Sequence, residues 1–196
     1  MTALVRTIPN IHKTFLGQLL LTTGFALLTA FSAQVQVPIG PVPITLQVLF
    51  VLLSGLVLGS KLGAISQIEY LALGFAGMPV FAQGKSGVIA LLGPTGGYLV
   101  GFILGAYIAG LLAEAVAHPT KIRFFLASLA GLAGIYICGA LWLATWFSMA
   151  NGTSWILELG SAWHLGVLPF LLVDAGKAIL ASGVTLSGRA LAALFR

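Results

Sequence analysis

An acidic and a basic residue lie close together inside an apolar segment in the last quarter of the chain. Asp174 and Lys177 are three residues apart, so in a helix both side chains lie on the same face. The two charges could simply neutralise each other as an internal ion pair. Burying an ion pair is often less favourable than burying apolar residues of similar size. We therefore favour a second interpretation, in which the pair binds a polar ligand between helices.

Two more charged residues need an interpretation. Glu69 stands inside an apolar segment beside Tyr70, and the sequence leaves open whether it faces a cavity or has a structural role. Lys85 lies in a glycine-rich segment, and the string Gln83–Gly87 around it resembles the end of a phosphate-binding P-loop. That motif requires glycine where this chain has Pro79. We reject nucleotide binding and expect a loop whose cation can close over an anionic ligand.

The composition indicates what must position these residues. Of 196 residues, 59% are hydrophobic and 7% are charged, and the mean hydropathy is +1.10. A soluble domain carries about 25% charged residues, so this composition excludes a soluble enzyme, and it is too apolar for a disordered chain. A single cysteine, Cys138, cannot build a disulfide framework, and the three histidines lack metal-ligand spacing. We expect an integral protein of the lipid bilayer with no metal and no cofactor.

Six apolar segments are candidates for membrane spans. A spanning helix needs about 20 residues, and proline and glycine clusters separate the segments. We predict an all-α bundle of six transmembrane helices forming one domain over residues 1–196, with the second and third helices short for a full crossing. The predicted spans are residues 14–34, 45–59, 62–76, 95–116, 123–149 and 164–193, with 78–94 as an ordered loop, 155–163 as an interfacial segment and His164 starting the last span.

The basic residues indicate the orientation. Six spans place both termini on one side, and the basic residues other than Lys177 divide seven to one in favour of that side. Because Lys and Arg collect on the cytoplasmic side, we predict cytoplasmic termini in the cell membrane. The same rule explains the net charge of +5 without a nucleic-acid partner. The seven residues are Arg6, Lys13, Lys61, Lys121, Arg123, Arg189 and Arg196, and the eighth is Lys85.

A proline-rich loop precedes the second span. Residues 37–47 contain three prolines, which prevent a helix, and end in the polar side chains of Thr45 and Gln47. Non-helical backbone near membrane depth is tolerated where it is buried in protein or lines a cavity. The loop could be a plain rigid turn. We favour a lid over a pocket that opens to the outside, with Thr45 and Gln47 as hydrogen-bonding groups.

Small residues recur at four-residue spacing, which lets helix backbones approach closely in lipid. We expect the two glycine rows to pack inside the bundle. For Ala26 and Ala30 we weigh internal packing against a docking face for another membrane protein, because the first helix of a small bundle is often peripheral. The glycine rows are Gly55, Gly59 and Gly63 in the second and third spans, and Gly97, Gly101 and Gly105 in the fourth.

Four short strings resemble those of the BioY family in order and spacing. They are VPITLQ at 42–47, GMPVF at 77–81, LGPTGGY at 92–98 and DAGK at 174–177. BioY proteins are the biotin-binding membrane subunits, or S components, of energy-coupling-factor (ECF) vitamin transporters. The resemblance covers about Thr14 to Arg196, and its most specific parts are the strings GPTGGY and PITLQ. Glu69 matches no feature of the family.

The resemblance implies six helices, a biotin pocket near the outer face and a lid formed by the first outer loop. It also implies an ECF transmembrane coupling protein and a cytoplasmic ATPase pair as partners, with Ala26 and Ala30 as the docking pair. Biotin offers ureido N–H donors, a carbonyl, an apolar ring and a carboxylate, which acidic, basic, amide and aromatic side chains can bind. The predicted substrate-binding residues are Thr45, Gln47, Tyr70, Phe81, Lys85, Tyr98, Asp174 and Lys177.

Two other classes of function remain as alternatives. An integral membrane enzyme would require an acid and a base at a lipid-accessible cleft, and only Glu69, Asp174 and Lys177 could serve. No nucleophile or metal set accompanies them, so we predict a binding and transport subunit and not an enzyme. A channel, or a transporter for another small solute, would share the fold class, but a channel would have a polar pore instead of a capped pocket.

Overall fold

The described residues, 14–115 and 120–194 of a computed structural model, form eight α-helices and one two-residue β-ladder. In the ladder, Gln36 pairs with Thr45 and Val37 with Ile44, in antiparallel register. The elements are α1 (Phe15–Ala33), β1 (Gln36–Val37), β2 (Ile44–Thr45), α2 (Gln47–Leu58), α3 (Ser60–Phe75), α4 (Gly87–Leu92), α5 (Gly96–Glu114), α6 (Lys121–Asn151), α7 (Trp155–Gly166) and α8 (Leu171–Leu194).

Four of these helices are long and apolar enough to cross a membrane, namely α1, α5, α6 and residues Leu171–Gly188 of α8. Helix α2 has 12 residues, which at 1.5 Å per residue is shorter than the hydrocarbon core of about 30 Å. The fold is mostly helical, as predicted, and the protein is a membrane protein. Of the basic residues used for the orientation, Arg6, Lys13 and Arg196 lie outside the described residues.

The C-terminal third differs from the prediction of one span over residues 164–193. Residues 155–163 are not a separate interfacial stretch, because α7 continues through His164 to Gly166, and α8 begins only at Leu171. Pro169 lies in the turn between the two helices. Proline lacks the N–H that a continuous helix needs. The loop predicted over residues 78–94 likewise contains a short helix, α4.

The first glycine row brings α2, α3 and α5 close together. A Cβ atom on Gly55 would lie 2.2 Å from the carbonyl oxygen of Ala106 in α5, and one on Gly63 would lie 2.8 Å from Cα of Gly55. Gly59 reverses the chain between α2 and α3 with φ of +91°, a conformation that L side chains rarely adopt. The second row faces α6, where a Cβ on Gly97 would lie 2.2 Å from Cβ of Trp142. The prediction that both rows pack inside the bundle is confirmed.

The expected docking face on α1 is not on the surface. Ala26 is fully buried and Ala30 is 7% exposed, because α1 turns its small residues towards α2 and α3, against which it packs. Its exposed side carries large apolar residues instead, among them Phe15 and Phe31. The placement of Ala26 and Ala30 on an outer surface was therefore wrong, and internal packing describes the pair.

Glu69 joins α3 to α1. Its carboxylate accepts hydrogen bonds from Oγ1 of Thr22 at 2.6 Å and Oγ1 of Thr23 at 3.0 Å. The polar groups of an apolar segment need such partners where water is absent. Of the two roles left open by the sequence, the structural one fits these contacts, and Glu69 does not line the cavity described below.

The turn between α6 and α7 is held by a second carboxylate. Glu158 accepts hydrogen bonds from Oγ1 of Thr153 at 2.6 Å and Nδ2 of Asn151 at 3.1 Å. The bond from Thr153 is the largest cause that lowers the pKa of Glu158, followed by those from Asn151 and Ser161. This turn sets the start of α7, whose last residue contacts the candidate site.

Candidate ligand-binding site

A cavity lies between α2, α5, α6 and α8 beneath the loop that joins β1 to β2. It encloses about 770 Å³ between its lining atoms, including the part open to solvent, within the range of about 300–1,000 Å³ typical of small-molecule pockets. Pro41, Val42 and Pro43 of the loop form one wall. The predicted site residues that line the cavity are Thr45, Gln47, Phe81, Lys85, Tyr98, Asp174 and Lys177.

The charged pair forms the polar wall of the cavity. Nζ of Lys177 donates to Oδ1 of Asp174 at 2.5 Å and to the carbonyl oxygen of Thr45 at 2.6 Å. The two charged side chains are only 5% and 2% exposed. An ammonium group has three N–H donors, and these contacts use two of them. Lys177 therefore fastens the end of the loop to α8 and has one donor left for a ligand.

Tyr136 completes the charged wall and was not predicted. Its hydroxyl donates to Oδ2 of Asp174 at 2.7 Å, and the residue lines the cavity from α6. Both carboxylate oxygens of Asp174 thus accept a hydrogen bond. A tyrosine in the middle of an apolar helix needs a hydrogen-bond partner when it is buried, and this requirement was the available signal in the sequence.

A chain of hydrogen bonds supports the loop on its other side. Oγ1 of Thr45 donates to Oε1 of Gln47 at 2.9 Å, and Nε2 of Gln47 donates to the hydroxyl of Tyr70 at 2.7 Å. Tyr70 in turn donates to the carbonyl oxygen of Val80 at 3.2 Å. Tyr70 is fully buried and does not line the cavity. It was predicted as a ligand-binding residue, and the structure places it behind Gln47, which it holds in position.

Aromatic rings form the apolar walls. The ring of Phe81 meets the ring of Tyr70 edge-on, with centroids 5.5 Å apart. The hydroxyl of Tyr98 donates to the carbonyl oxygen of Gly166 at 2.8 Å, so its ring is fixed against α7. A Cβ on Gly139 would lie 2.2 Å from that ring, which explains why a glycine stands there. Phe102 and Phe170 add to the same walls and were not predicted.

The mouth of the cavity is formed by the segment around Lys85, whose side chain is exposed. The backbone N–H of Phe81 donates to the carbonyl oxygen of Lys85 at 3.1 Å, which closes this segment into a tight turn. Gln83, another lining residue that the sequence did not indicate, has φ of +64°. Such backbone strain in a non-glycine residue is concentrated at functional sites in proteins.

A bundle of membrane helices around a pocket with one charged wall and several aromatic walls defines a membrane protein that binds a small molecule. Comparison with known proteins identifies the family. The sequence model of the BioY family matches residues 5–193. The chain belongs to the BioY family, and the prediction made from four short strings is confirmed.

Relatives and a solved structure agree with this assignment. The chain is 46% identical over 157 residues to the probable biotin transporter BioY of Pyrococcus horikoshii, covering 80% of this chain and 86% of the relative. It is 41% identical over 170 residues to the biotin transporter BioY of Thermotoga maritima, covering 86% and 94%. The S component for biotin from an ECF-type ABC transporter superposes with a TM-score of 0.73 at 28% identity, covering 89% of each chain. These relatives are named as transporters, in agreement with the prediction that the protein is not an enzyme.

Proposed function

We propose that this chain captures biotin as the membrane-embedded S component of an ECF vitamin transporter. The observation that carries the proposal is the buried pair of Asp174 and Lys177 in the wall of a cavity of small-molecule size, in a chain whose relatives are named biotin transporters. Cells that depend on external biotin test it. Expression of the chain with ECF partner subunits should allow uptake of labelled biotin, and absence of uptake from such cells would contradict the proposal.

The cavity offers complementary groups for each part of biotin. The remaining donor of Lys177 suits a carbonyl or carboxylate oxygen, and the side chains of Thr45 and Gln47 suit the ureido group. The rings of Phe81 and Tyr98 suit the apolar bicyclic ring. Lys85 at the mouth of the cavity is a second cation that suits the carboxylate of biotin. Binding of this kind requires no covalent step, no metal and no cofactor.

The loop of residues 38–43 acts as the lid in this proposal. The pairs of β1 and β2 hold its two ends together, and Pro41 and Pro43 restrict its backbone. The bond from Lys177 to the carbonyl oxygen of Thr45 ties the lid to α8. A ligand that accepts a hydrogen bond from Lys177 therefore contacts the same ammonium group that ties the lid to α8.

An S component needs partners for transport, and we propose an ECF transmembrane coupling protein and a cytoplasmic ATPase pair. Ala26 and Ala30 do not provide the docking surface in this arrangement, because the bundle buries them. The similar S component for biotin, which comes from an ECF-type ABC transporter, supports this context.

We also propose that the chain crosses the cell membrane with both termini in the cytoplasm. A cysteine in place of the exposed Lys85 should react with an impermeant thiol reagent in intact cells, and a cysteine in place of the exposed Lys121 should react only after permeabilisation. The native Cys138 is replaced by alanine in both variants. Labelling in the opposite order would contradict the orientation and the outward-facing pocket.

Removal of the Tyr136 hydroxyl should weaken biotin binding moderately. Tyr136→Phe keeps the ring but removes the donor that positions Oδ2 of Asp174 in the cavity wall, and we expect this lost positioning to cost about 1–2 kcal/mol of binding free energy, or roughly five- to thirtyfold in affinity. Titration of biotin into the purified variant measures the loss. Tyr107→Phe, on an exposed tyrosine of α5, is the matched control and should bind as the parent does. Equal affinity of all three proteins would remove Tyr136 from the site.

A further inference from the structure

A second cavity lies outside the proposed biotin site, in the lipid-facing surface between the first turn of α6 and the middle of α8. It encloses about 650 Å³, including the part open to the surroundings. Its walls are the side chains of Ile122, Phe125 and Ile179, with Ser182 below them and Lys121 at the rim. Ile122 and Ile179 are 60% and 51% exposed. It lies between two helices that are long and apolar enough to span a membrane.

Among the described residues that line the groove, the charged one is Lys121, and its side chain lies against α8. A Cβ on Gly183 would lie 3.8 Å from Cε of Lys121, so the aliphatic stem of Lys121 runs across α8 at a position without a side chain. Within the part of the chain that the structure describes, no acidic residue lines the groove, and Lys121 has no carboxylate partner. The hydroxyl of Ser182 is already used, since it donates to the carbonyl oxygen of Ala178 at 2.6 Å. An occupant must therefore bring its own negative charge.

We propose that this groove binds an anionic phospholipid, with an acyl chain along Ile122, Phe125 and Ile179 and the phosphate at Lys121. An anionic phospholipid fits because it carries a negative phosphate at the end of an apolar acyl chain. The groove likewise has a basic residue at its rim and apolar side chains along its walls. A partner helix would have to place an acidic residue at this level to reach the same complementarity. Basic pockets between membrane helices on the cytoplasmic side commonly receive anionic headgroups, and Lys121 belongs to the basic, proposed cytoplasmic side.

Native mass spectrometry of the purified protein tests the proposal. Phosphatidylglycerol is compared with phosphatidylcholine of identical acyl chains and with glycerophosphate alone. One phosphatidylglycerol should remain bound per chain, whereas the other two compounds should bind weakly. Lys121→Gln should weaken phosphatidylglycerol binding roughly fivefold, the equivalent of about 1 kcal/mol for one basic residue near an anionic surface. Lys61→Gln, on an exposed lysine outside the groove, is the matched control and should change nothing.

A second variant tests the apolar part of the site. Ile179→Trp fills the groove from a half-exposed position and should displace the lipid with little effect on the melting temperature of the protein in detergent alone. Equal retention of phosphatidylcholine, binding of glycerophosphate by itself, or unchanged lipid binding by Lys121→Gln would each overturn the proposal. So would lipid binding by Ile179→Trp that equals that of the parent.

Discussion

Lys177→Ala should weaken biotin binding by at least ten- to a hundredfold. The substitution removes the donor that is left for a ligand and the bond that ties Thr45 to α8, and a ligand oxygen left unsatisfied in the complex costs about 1–3 kcal/mol, or more for a charge. Lys177→Arg should not restore the affinity, because its planar head cannot take the place of a compact ammonium. Asp174→Asn, which keeps the size and an acceptor, should weaken binding less than Asp174→Ala. Calorimetric titration of biotin into the purified variants measures these differences.

The control for this series is Lys61→Ala, which removes an exposed lysine from the first turn of α3 and should leave biotin affinity unchanged. Breaking a buried ion pair also lowers the free energy of unfolding, by about 3–5 kcal/mol. A thermal melt without ligand must therefore accompany each titration. Variants that are folded and bind biotin as tightly as the parent would reduce Asp174 and Lys177 to an internal ion pair and move the pocket elsewhere.

Gly55→Ala should produce a large loss of stability. Its Cβ would lie 2.2 Å from the carbonyl oxygen of Ala106 and 3.0 Å from the backbone nitrogen of Gly110. Both contacts are backbone atoms of α5, so the helices must separate to admit a methyl group. We expect a cost of about 3 kcal/mol or more, which corresponds to a fall in melting temperature of about 10 °C for a chain of this length.

The matched control for Gly55→Ala is Gly24→Ala in α1, where an added Cβ would meet no atom within 4 Å. Alanine is the better helix former, so this variant should melt at the same temperature as the parent or slightly above it. Thermal melts of both proteins in one detergent make the comparison. Equal melting of Gly55→Ala and Gly24→Ala would mean that α2 and α5 are farther apart than described.

Local sequence patterns predicted much of the candidate site. The spacing of Asp174 and Lys177 places both on one helix face wherever the helix lies. The prolines of residues 37–47 likewise exclude a helix from the lid without any knowledge of its neighbours. Lys85 was recognisable because so few charges interrupt this chain. These features depend on residues that are near in sequence, and the structure brings them together around one cavity.

The contacts between helices could not be predicted in the same way. Lipid tails are as apolar as a protein core, so an apolar helix such as α1 gives no contrast that would show which side faces the bundle. Ala26 and Ala30 were for that reason placed on the wrong side. The hydrogen-bond partners of Glu69 lie on another helix, 46 and 47 residues away in sequence. The partner of Tyr136 also lies on another helix, 38 residues away. Only the packing of the whole bundle determines such pairs.

Equilibrium dialysis of labelled biotin against the purified wild-type protein tests the central claim most directly, because it requires neither partner subunits nor a membrane potential. We predict one saturable biotin site per chain, from which unlabelled biotin displaces the label. A folded protein that shows no saturable binding of biotin would contradict the proposed function, and the cavity beneath residues 38–43 would then serve another solute.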